Sequence, residues 1–141
     1  MTAAEAITWM ARGLAIAASL GAIELLAVRR ALADDGPFAW SVLGRALAGW
    51  PRPARALADR ALGYRGTCAL LAAQLAAAGA LPLTAHPAPA WTIAATVLAI
   101  AFRFGGTYNG GSDAMTLIVA VAVAVARTWP GGALADGALA Y

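Results

Sequence analysis

Residues 66–83 form an apolar run of eighteen residues without a charged side chain, and Gln74 is its only strongly polar residue. A helix of that length is about 27 Å long, close to the roughly 30 Å hydrocarbon layer of a membrane. The whole chain is 62% hydrophobic and 12% charged, whereas a soluble domain is about half apolar and about a quarter charged. Because the polar residues are too few to cover a water-soluble domain, the sequence predicts a membrane protein.

Three further apolar segments accompany this run. We predict an all-α fold, a polytopic transmembrane bundle of about four spanning helices in a single membrane domain over residues 1–141. The predicted helices cover residues 9–30, 66–83, 89–104 and 113–129. Residues 119–126 alternate valine with alanine, and we assign them to a helix because a lone strand in lipid leaves its backbone unpaired. Residues 133–141 resemble the start of a further helix, so we expect either a longer protein or a final segment packed on a partner.

The connection formed by residues 38–65 is rich in tryptophan, proline and arginine. From Arg52 onward, arginines alternate with apolar residues, a pattern typical of an amphipathic helix that lies in the membrane surface with a basic face. A plain cytoplasmic connection explains the same composition, because arginine-rich loops and tryptophan belts occur in most membrane proteins. Both interpretations stay open at this point.

Arginine placement predicts the topology. The chain has ten basic and seven acidic residues and no lysine. Seven of the arginines lie between the first two predicted helices, namely Arg29, Arg30, Arg45, Arg52, Arg55, Arg60 and Arg65. The positive-inside rule therefore places this connection in the cytoplasm and the N-terminus outside. Because the arginines flank apolar segments, we expect membrane lipid and other membrane subunits as partners, and no nucleic acid.

The most distinctive stretch is residues 104–116, FGGTYNGGSDAMT. Its glycine amides can hold an anion, and Ser112 or Asp113 can cap the following helix. A phosphate-binding P-loop needs a lysine, which is missing, and a tight turn followed by a helix cap explains the stretch without a ligand. A ligand or subunit contact is the alternative, and its candidate functional or assembly residues are Asn109, Gly110, Gly111, Ser112 and Asp113.

Other candidate residues are few. Glu24 and Gln74 lie within predicted spanning helices, so we expect them to be buried and to hydrogen-bond between helices rather than to form a proton relay. His86, the single histidine, lies in a proline-flanked loop; ligation of a pigment or haem by it alone stays open. Cys68 is expected to be a small apolar filler. We assign no cofactor, metal site or catalytic set, and do not expect an enzyme in this chain alone.

Residues 104–116 open an apolar helix and follow an earlier segment, RRALADDGPFAWSVLGR, at residues 29–45. Together they resemble the bacterial HTTM-type membrane proteins related to vitamin K-dependent gamma-carboxylase. The resemblance covers most of the chain as the N-terminal part of such a protein. It implies a polytopic helical fold in the bacterial inner membrane, in which Asn109, Gly110, Gly111 and Asp113 matter most. Carboxylation in that family uses a lysine base, and since this chain has no lysine the activity is not carried over.

Two functional hypotheses follow. In the first, the chain is a non-catalytic subunit or scaffold that packs against a larger membrane complex of respiratory or photosynthetic type. Ala17 and Gly21, four residues apart, and the run of residues 76–80 provide small-residue faces for such packing, although genomic composition also explains the alanine content. In the second, the chain is the N-terminal membrane part of an HTTM-like enzyme, or a small transporter. Glu24, Gln74 and residues 109–113 would then meet at one cavity.

Overall fold

The computed structural model describes residues 2–27, 49–104 and 111–129, which form helices and no strand. The helices are α1 (Ala3–Ala27), α2 (Arg52–Leu62), α3 (Tyr64–Ala80), α4 (Ala88–Phe104) and α5 (Gly111–Thr128), with a 3-10 turn at Leu81–Leu83. The all-α prediction is confirmed for this part of the chain, and the valine-alanine stretch is helical. Residues 133–141, Arg29, Arg30 and Arg45 lie outside the described residues.

The first helix begins at Ala3, well before the predicted start at residue 9. The backbone amide of Glu5 donates to Thr2 Oγ1 at 3.2 Å, and the amide of Thr2 donates to Glu5 Oε2 at 2.7 Å. This reciprocal pair is a capping box, which satisfies two of the backbone donors that a helix start leaves open. The prediction followed apolar residues alone and so missed the polar first turn.

Two of the described helices are long and apolar enough to cross a membrane, Ala3–Ala27 and Tyr64–Leu83. The predicted count of about four is therefore wrong by this measure. The helix α4 has 17 residues, or about 26 Å. In α5 the stretch between Asp113 and Arg127 has thirteen residues, or about 20 Å. The apolar stretch of α5 falls short of the hydrocarbon layer, and α4 lies at the lower limit of the length that crosses it.

Small side chains bring the helices together. Contacts join α1 to α3 and α5, and α4 to α3 and α5, so these four helices form a closed ring of neighbours. The buried residues of α1 recur at spacings of three and four and are Ala11, Leu14, Ala18, Ala22 and Leu25. Close packing thus uses Ala18 and Ala22, whereas Ala17 of the predicted pair is exposed and Gly21 is half-buried. In the predicted run of residues 76–80, Ala77 and Ala78 are buried.

Part of the connection formed by residues 38–65 is helical, because α2 covers Arg52–Leu62; its placement in a membrane surface stays open. Its arginines at positions 52, 55 and 60 are exposed, whereas Leu62 is buried, which is an amphipathic arrangement. Gly63, with an extended backbone, then turns the chain directly into α3. The buried Thr67 Oγ1 donates to the carbonyl of Leu62 at 3.2 Å and closes this corner.

The chain alternates in direction through α1, α3, α4 and α5. At one end, Arg127 Nη1 donates to the carbonyl of Leu81 at 3.2 Å, and Trp91 Nε1 donates to Thr128 Oγ1 at 3.3 Å. We call this end, which also contains the start of α1, the Arg127 end. The opposite end contains α2 and the junctions where α3 begins and α4 finishes, and we call it the Arg103 end.

Candidate functional site

Gln74 is the buried polar residue at the centre of the bundle, with 4% of its surface exposed. Its Nε2 atom donates to the carbonyl of Ala18 at 2.9 Å and so joins α3 to α1. The interhelical hydrogen bond predicted for this residue is therefore present. Since Ala18 lies inside α1, its carbonyl also accepts the ordinary helical bond, and Gln74 adds to an acceptor that is already satisfied.

A small cavity of about 20 Å³ lies beside this glutamine. Its lining residues are Gly21, Leu25, Gln74, Val97, Ile100 and Asp113. Gln74 Oε1 is buried and accepts no hydrogen bond from any described residue. A cavity needs at least about 10–15 Å³ to hold one water molecule. The space is therefore large enough for a single water between an amide and a carboxylate.

Among the described residues of the predicted glycine-rich site, Asp113 lies at this cavity. It is half-buried in the first turn of α5, where a carboxylate interacts favourably with the helix dipole. Gly111 and Ser112 are the first two residues of α5. Asn109 and Gly110 lie outside the described residues, so their predicted role remains a prediction.

Glu24 does not join the cavity. Its side chain is exposed on α1, and the expectation that it is buried between helices is wrong. The reason is helical geometry: Leu25 belongs to the buried face, and adjacent residues point about 100° apart around a helix. Gln74 and Asp113 therefore line this cavity together, and Glu24 is not among the residues that line it.

His86 and Cys68 show no arrangement for metal chemistry. His86 is exposed, as expected for its loop, and its Nδ1 atom accepts a hydrogen bond from the amide of Ala88 at 3.1 Å. It thereby satisfies a backbone donor at the start of α4. Cys68 is a free, half-buried thiol. Within the described ranges, no three His, Cys, Asp or Glu residues are grouped to hold a metal. A pigment or haem ligand role for His86 stays open.

An apolar groove of about 420 Å³ opens between α1 and α5. It is lined by Met10, Gly13, Leu14, Ala17, Met115, Thr116 and Val119. Gly13 and Ala17 are exposed and four residues apart, and a Cβ atom added to Gly13 would meet nothing within 4 Å. The sequence interpretation missed this groove, although the spacing of Gly13 and Ala17 was the signal that could have found it.

No protein-family model matches the chain, and neither a curated protein nor a solved structure is significantly similar to it. The resemblance to HTTM-type proteins therefore stays a prediction.

Replacing Gln74 with leucine is expected to change the free energy of unfolding by less than about 1 kcal/mol. Hydrogen bonds between membrane helices contribute on average about 0.6 kcal/mol, and leucine also removes the unsatisfied Oε1 atom. The measurement is unfolding by a denaturing detergent in mixed micelles. A loss of several kcal/mol would show that the Gln74 network is worth more than its one observed hydrogen bond.

Proposed function

We propose that this chain is a non-catalytic integral membrane subunit or scaffold, and that the groove between α1 and α5 receives a helix of a larger membrane protein complex. The observation that carries the proposal is the groove at Gly13 and Ala17, which the described helices of the chain itself leave open. Small residues at this spacing allow a second helix backbone to approach closely. The two methionines beside them, Met10 and Met115, adapt readily to a neighbour's shape.

Exposed apolar side chains support the placement in a membrane. Only 28% of the apolar window of α1 and 33% of that in Tyr64–Leu83 is buried, whereas a core helix of a soluble protein is buried over most of its surface. Large apolar side chains that are more than half exposed on the bundle include Ile16, Leu20, Ile23, Leu98, Met115 and Ile118. Such a surface is stable when lipid covers it.

Aromatic residues at the two ends support the same placement. Trp9, Trp91 and Trp129 lie at the Arg127 end and are all exposed. At the Arg103 end, Trp50 packs against Phe102 with ring centroids 6.1 Å apart, and Tyr64 lies nearby in sequence at the start of α3. Tryptophan and tyrosine concentrate where a membrane protein meets the headgroups. The two groups therefore mark two interfaces, with the apolar surface between them.

The arginines support an orientation. The Arg103 end contains Arg52, Arg55, Arg60, Arg65 and Arg103, and the Arg127 end contains Arg12 and Arg127. The positive-inside rule then directs the Arg103 end to the cytoplasm and the N-terminus outside. This orientation applies to the two helices that are long enough to cross a membrane, Ala3–Ala27 and Tyr64–Leu83. The bacterial inner membrane and the respiratory or photosynthetic type of complex stay predictions from the sequence.

The polar cavity, as far as described residues line it, lends no support to the alternative of an enzyme or small transporter. A site that encloses a drug-sized ligand has a volume of about 300–1,000 Å³. The cavity at Gln74 and Asp113 has about 20 Å³, room for one water rather than a substrate. A subunit role needs no such space.

Gly13→Leu tests the subunit role directly. Because open space surrounds Gly13, the leucine is expected to fill the groove while the bundle stays folded. Partner proteins that migrate with the chain in mild detergent, measured by quantitative mass spectrometry, are expected to fall about tenfold or more, since a lost 1.4 kcal/mol of association is already tenfold.

Gly79→Leu is the matched control. Gly79 also lies in a helix with open space around it, but on α3 and away from the groove. Its substitution is expected to leave partner recovery unchanged. The subunit proposal is contradicted if wild-type protein migrates as a lone monomer, or if Gly13→Leu retains its partners. Recovery of lipid but of no partner protein with the wild-type chain would contradict the proposal in the same way.

A further inference from the structure

A second concave site lies at the Arg127 end, apart from the groove and from the cavity at Gln74. It has a volume of about 230 Å³ and is formed by the first half of α1, the turn that follows α3 and the end of α5. Its polar lining consists of Thr8, Arg12, Thr84 and Arg127, and none of the described residues that line it is a carboxylate. We call this site the arginine cleft.

Both arginines of the cleft are held by uncharged groups. The guanidinium carbon of Arg12 lies 5.1 Å from the centroid of the Trp9 ring, a cation–π contact. Arg127 is half-buried, and its Nη1 atom donates to the carbonyl of Leu81 at 3.2 Å. A guanidinium has five N–H donors, so each arginine keeps donors that these contacts do not use. Arg12 is exposed, and neither the Trp9 ring nor the Leu81 carbonyl carries a formal charge, so these contacts neutralise neither guanidinium.

The threonines add a further donor. Thr84 Oγ1 accepts a hydrogen bond from the amide of His86 at 3.1 Å, which leaves its own hydroxyl hydrogen able to donate. Thr8 already donates its hydroxyl hydrogen to the carbonyl of Ala4 at 2.8 Å and contributes only an acceptor. Thus, among the described residues, two cations and one hydroxyl donor line the cleft and no carboxylate lines it, a combination that matches an anion with several oxygens.

We propose that the arginine cleft binds a phosphate group. Arginine is the residue best suited to phosphate, because its planar donors pair with two oxygens at once. The volume is below that of sites for drug-sized ligands, so it suits a headgroup or a small oxyanion. Trp9 and Trp129, which are close to Arg12 and Arg127 in the sequence, place the cleft at headgroup level, where the phosphate of an anionic phospholipid can reach it. Free inorganic phosphate has the same charged oxygens and is the other possible source of the ligand. The site goes beyond the subunit role; only its lipid source rests on the proposed membrane placement.

The test measures binding of phosphatidylglycerol to the full chain in a neutral detergent by native mass spectrometry. Phosphatidylcholine, whose headgroup has no net charge, is the lipid control, and inorganic phosphate is added as a competitor. Arg12→Gln combined with Arg127→Gln is expected to weaken phosphatidylglycerol binding at least about tenfold, the usual effect of losing a charge-assisted hydrogen bond. Arg12→Gln alone, which keeps the bond from Arg127 to Leu81, is expected to weaken binding in the same direction if the double variant folds poorly.

Arg60→Gln is the matched control, because Arg60 is exposed on α2 at the opposite end. Competition by inorganic phosphate identifies free phosphate as the ligand, and binding of phosphatidylglycerol without such competition identifies the lipid headgroup; either result upholds the site. Unchanged binding in both Arg12 variants, or an equal loss with Arg60→Gln, overturns it. Gly13→Leu is expected to bind phosphatidylglycerol normally. The subunit proposal and the phosphate-binding proposal can therefore fail independently, and the two failures can be told apart.

Discussion

Gly66→Ala is expected to lower the free energy of unfolding by about 3 kcal/mol, at the upper end of the usual cost of overpacking. A Cβ atom at Gly66 would overlap the backbone carbonyl of Ala61, at the corner where α2 turns into α3. A clashing side chain can rotate away, but this carbonyl is fixed by the helix that carries it. The buried bond from Thr67 to Leu62 would have to open with the corner.

Gly79→Ala is the matched control for this change, and its expected effect has the opposite sign. No atom lies within 4 Å of a Cβ at Gly79, and alanine is favoured over glycine in a helix by about 0.8–1.0 kcal/mol. Denaturing-detergent titration of both variants measures the difference. Equal stabilities for the two variants would show that a Cβ atom at position 66 does not clash with the backbone of α2.

The second large effect is expected at Leu71, whose side chain is 1% exposed. It packs with Ala22, Leu25 and Ile100 and so holds α1, α3 and α4 together. We expect Leu71→Ala to cost about 2 kcal/mol, the lower end of the range for leucine truncation in a core. The lower end applies because packing, rather than exclusion of water, is what joins helices surrounded by lipid.

Leu98→Ala is the matched control for Leu71→Ala, because it separates the stability lost from core packing from that lost with the hydrophobic side chain itself. Leu98 is 59% exposed on α4, so its truncation removes the same atoms without leaving a cavity. Unfolding in mixed micelles is expected to show a change of less than about 0.5 kcal/mol, as at most surface positions. A cost at Leu98 equal to that at Leu71 would mean that the exposed face of α4 is covered by protein.

The sequence located three helices closely and misplaced one boundary, for identifiable reasons. The starts of α3, α4 and α5 lie within two residues of those predicted, at Tyr64, Ala88 and Gly111, since uncharged runs and turn residues mark them. The start of α1 was missed, because Thr2 and Glu5 form their capping box outside the apolar run. A boundary prediction that scores polar caps as well as apolar length would have found it.

The packing face of α1 was less accessible from the sequence. Ala17 and Ala18 are chemically identical, yet the first is exposed and the second is buried. A helix that is apolar on all sides has no polar stripe to mark its outer face, so its rotation depends on which neighbours it meets. The same ambiguity led to the expectation that Glu24 is buried, and it concealed the groove at Gly13.

The polar sites likewise include one that the sequence predicted and one that it did not. Gln74 was predicted to be buried because amide groups inside an apolar run need a protein partner. The arginine cleft was not predicted, because Arg12 and Arg127 are far apart in the sequence and meet only through the ring of helices. The bond from Arg127 to the carbonyl of Leu81 joins the end of α5 to the turn after α3, a structural role that no local pattern indicates.

Extraction of membranes with alkaline carbonate, which releases peripheral proteins and retains integral ones, most directly tests whether lipid covers the exposed apolar surface. The full chain is expected to remain in the membrane pellet and to enter solution only when detergent is added. Release into the carbonate supernatant, followed by monodisperse behaviour in buffer without detergent, would contradict the membrane-embedded bundle.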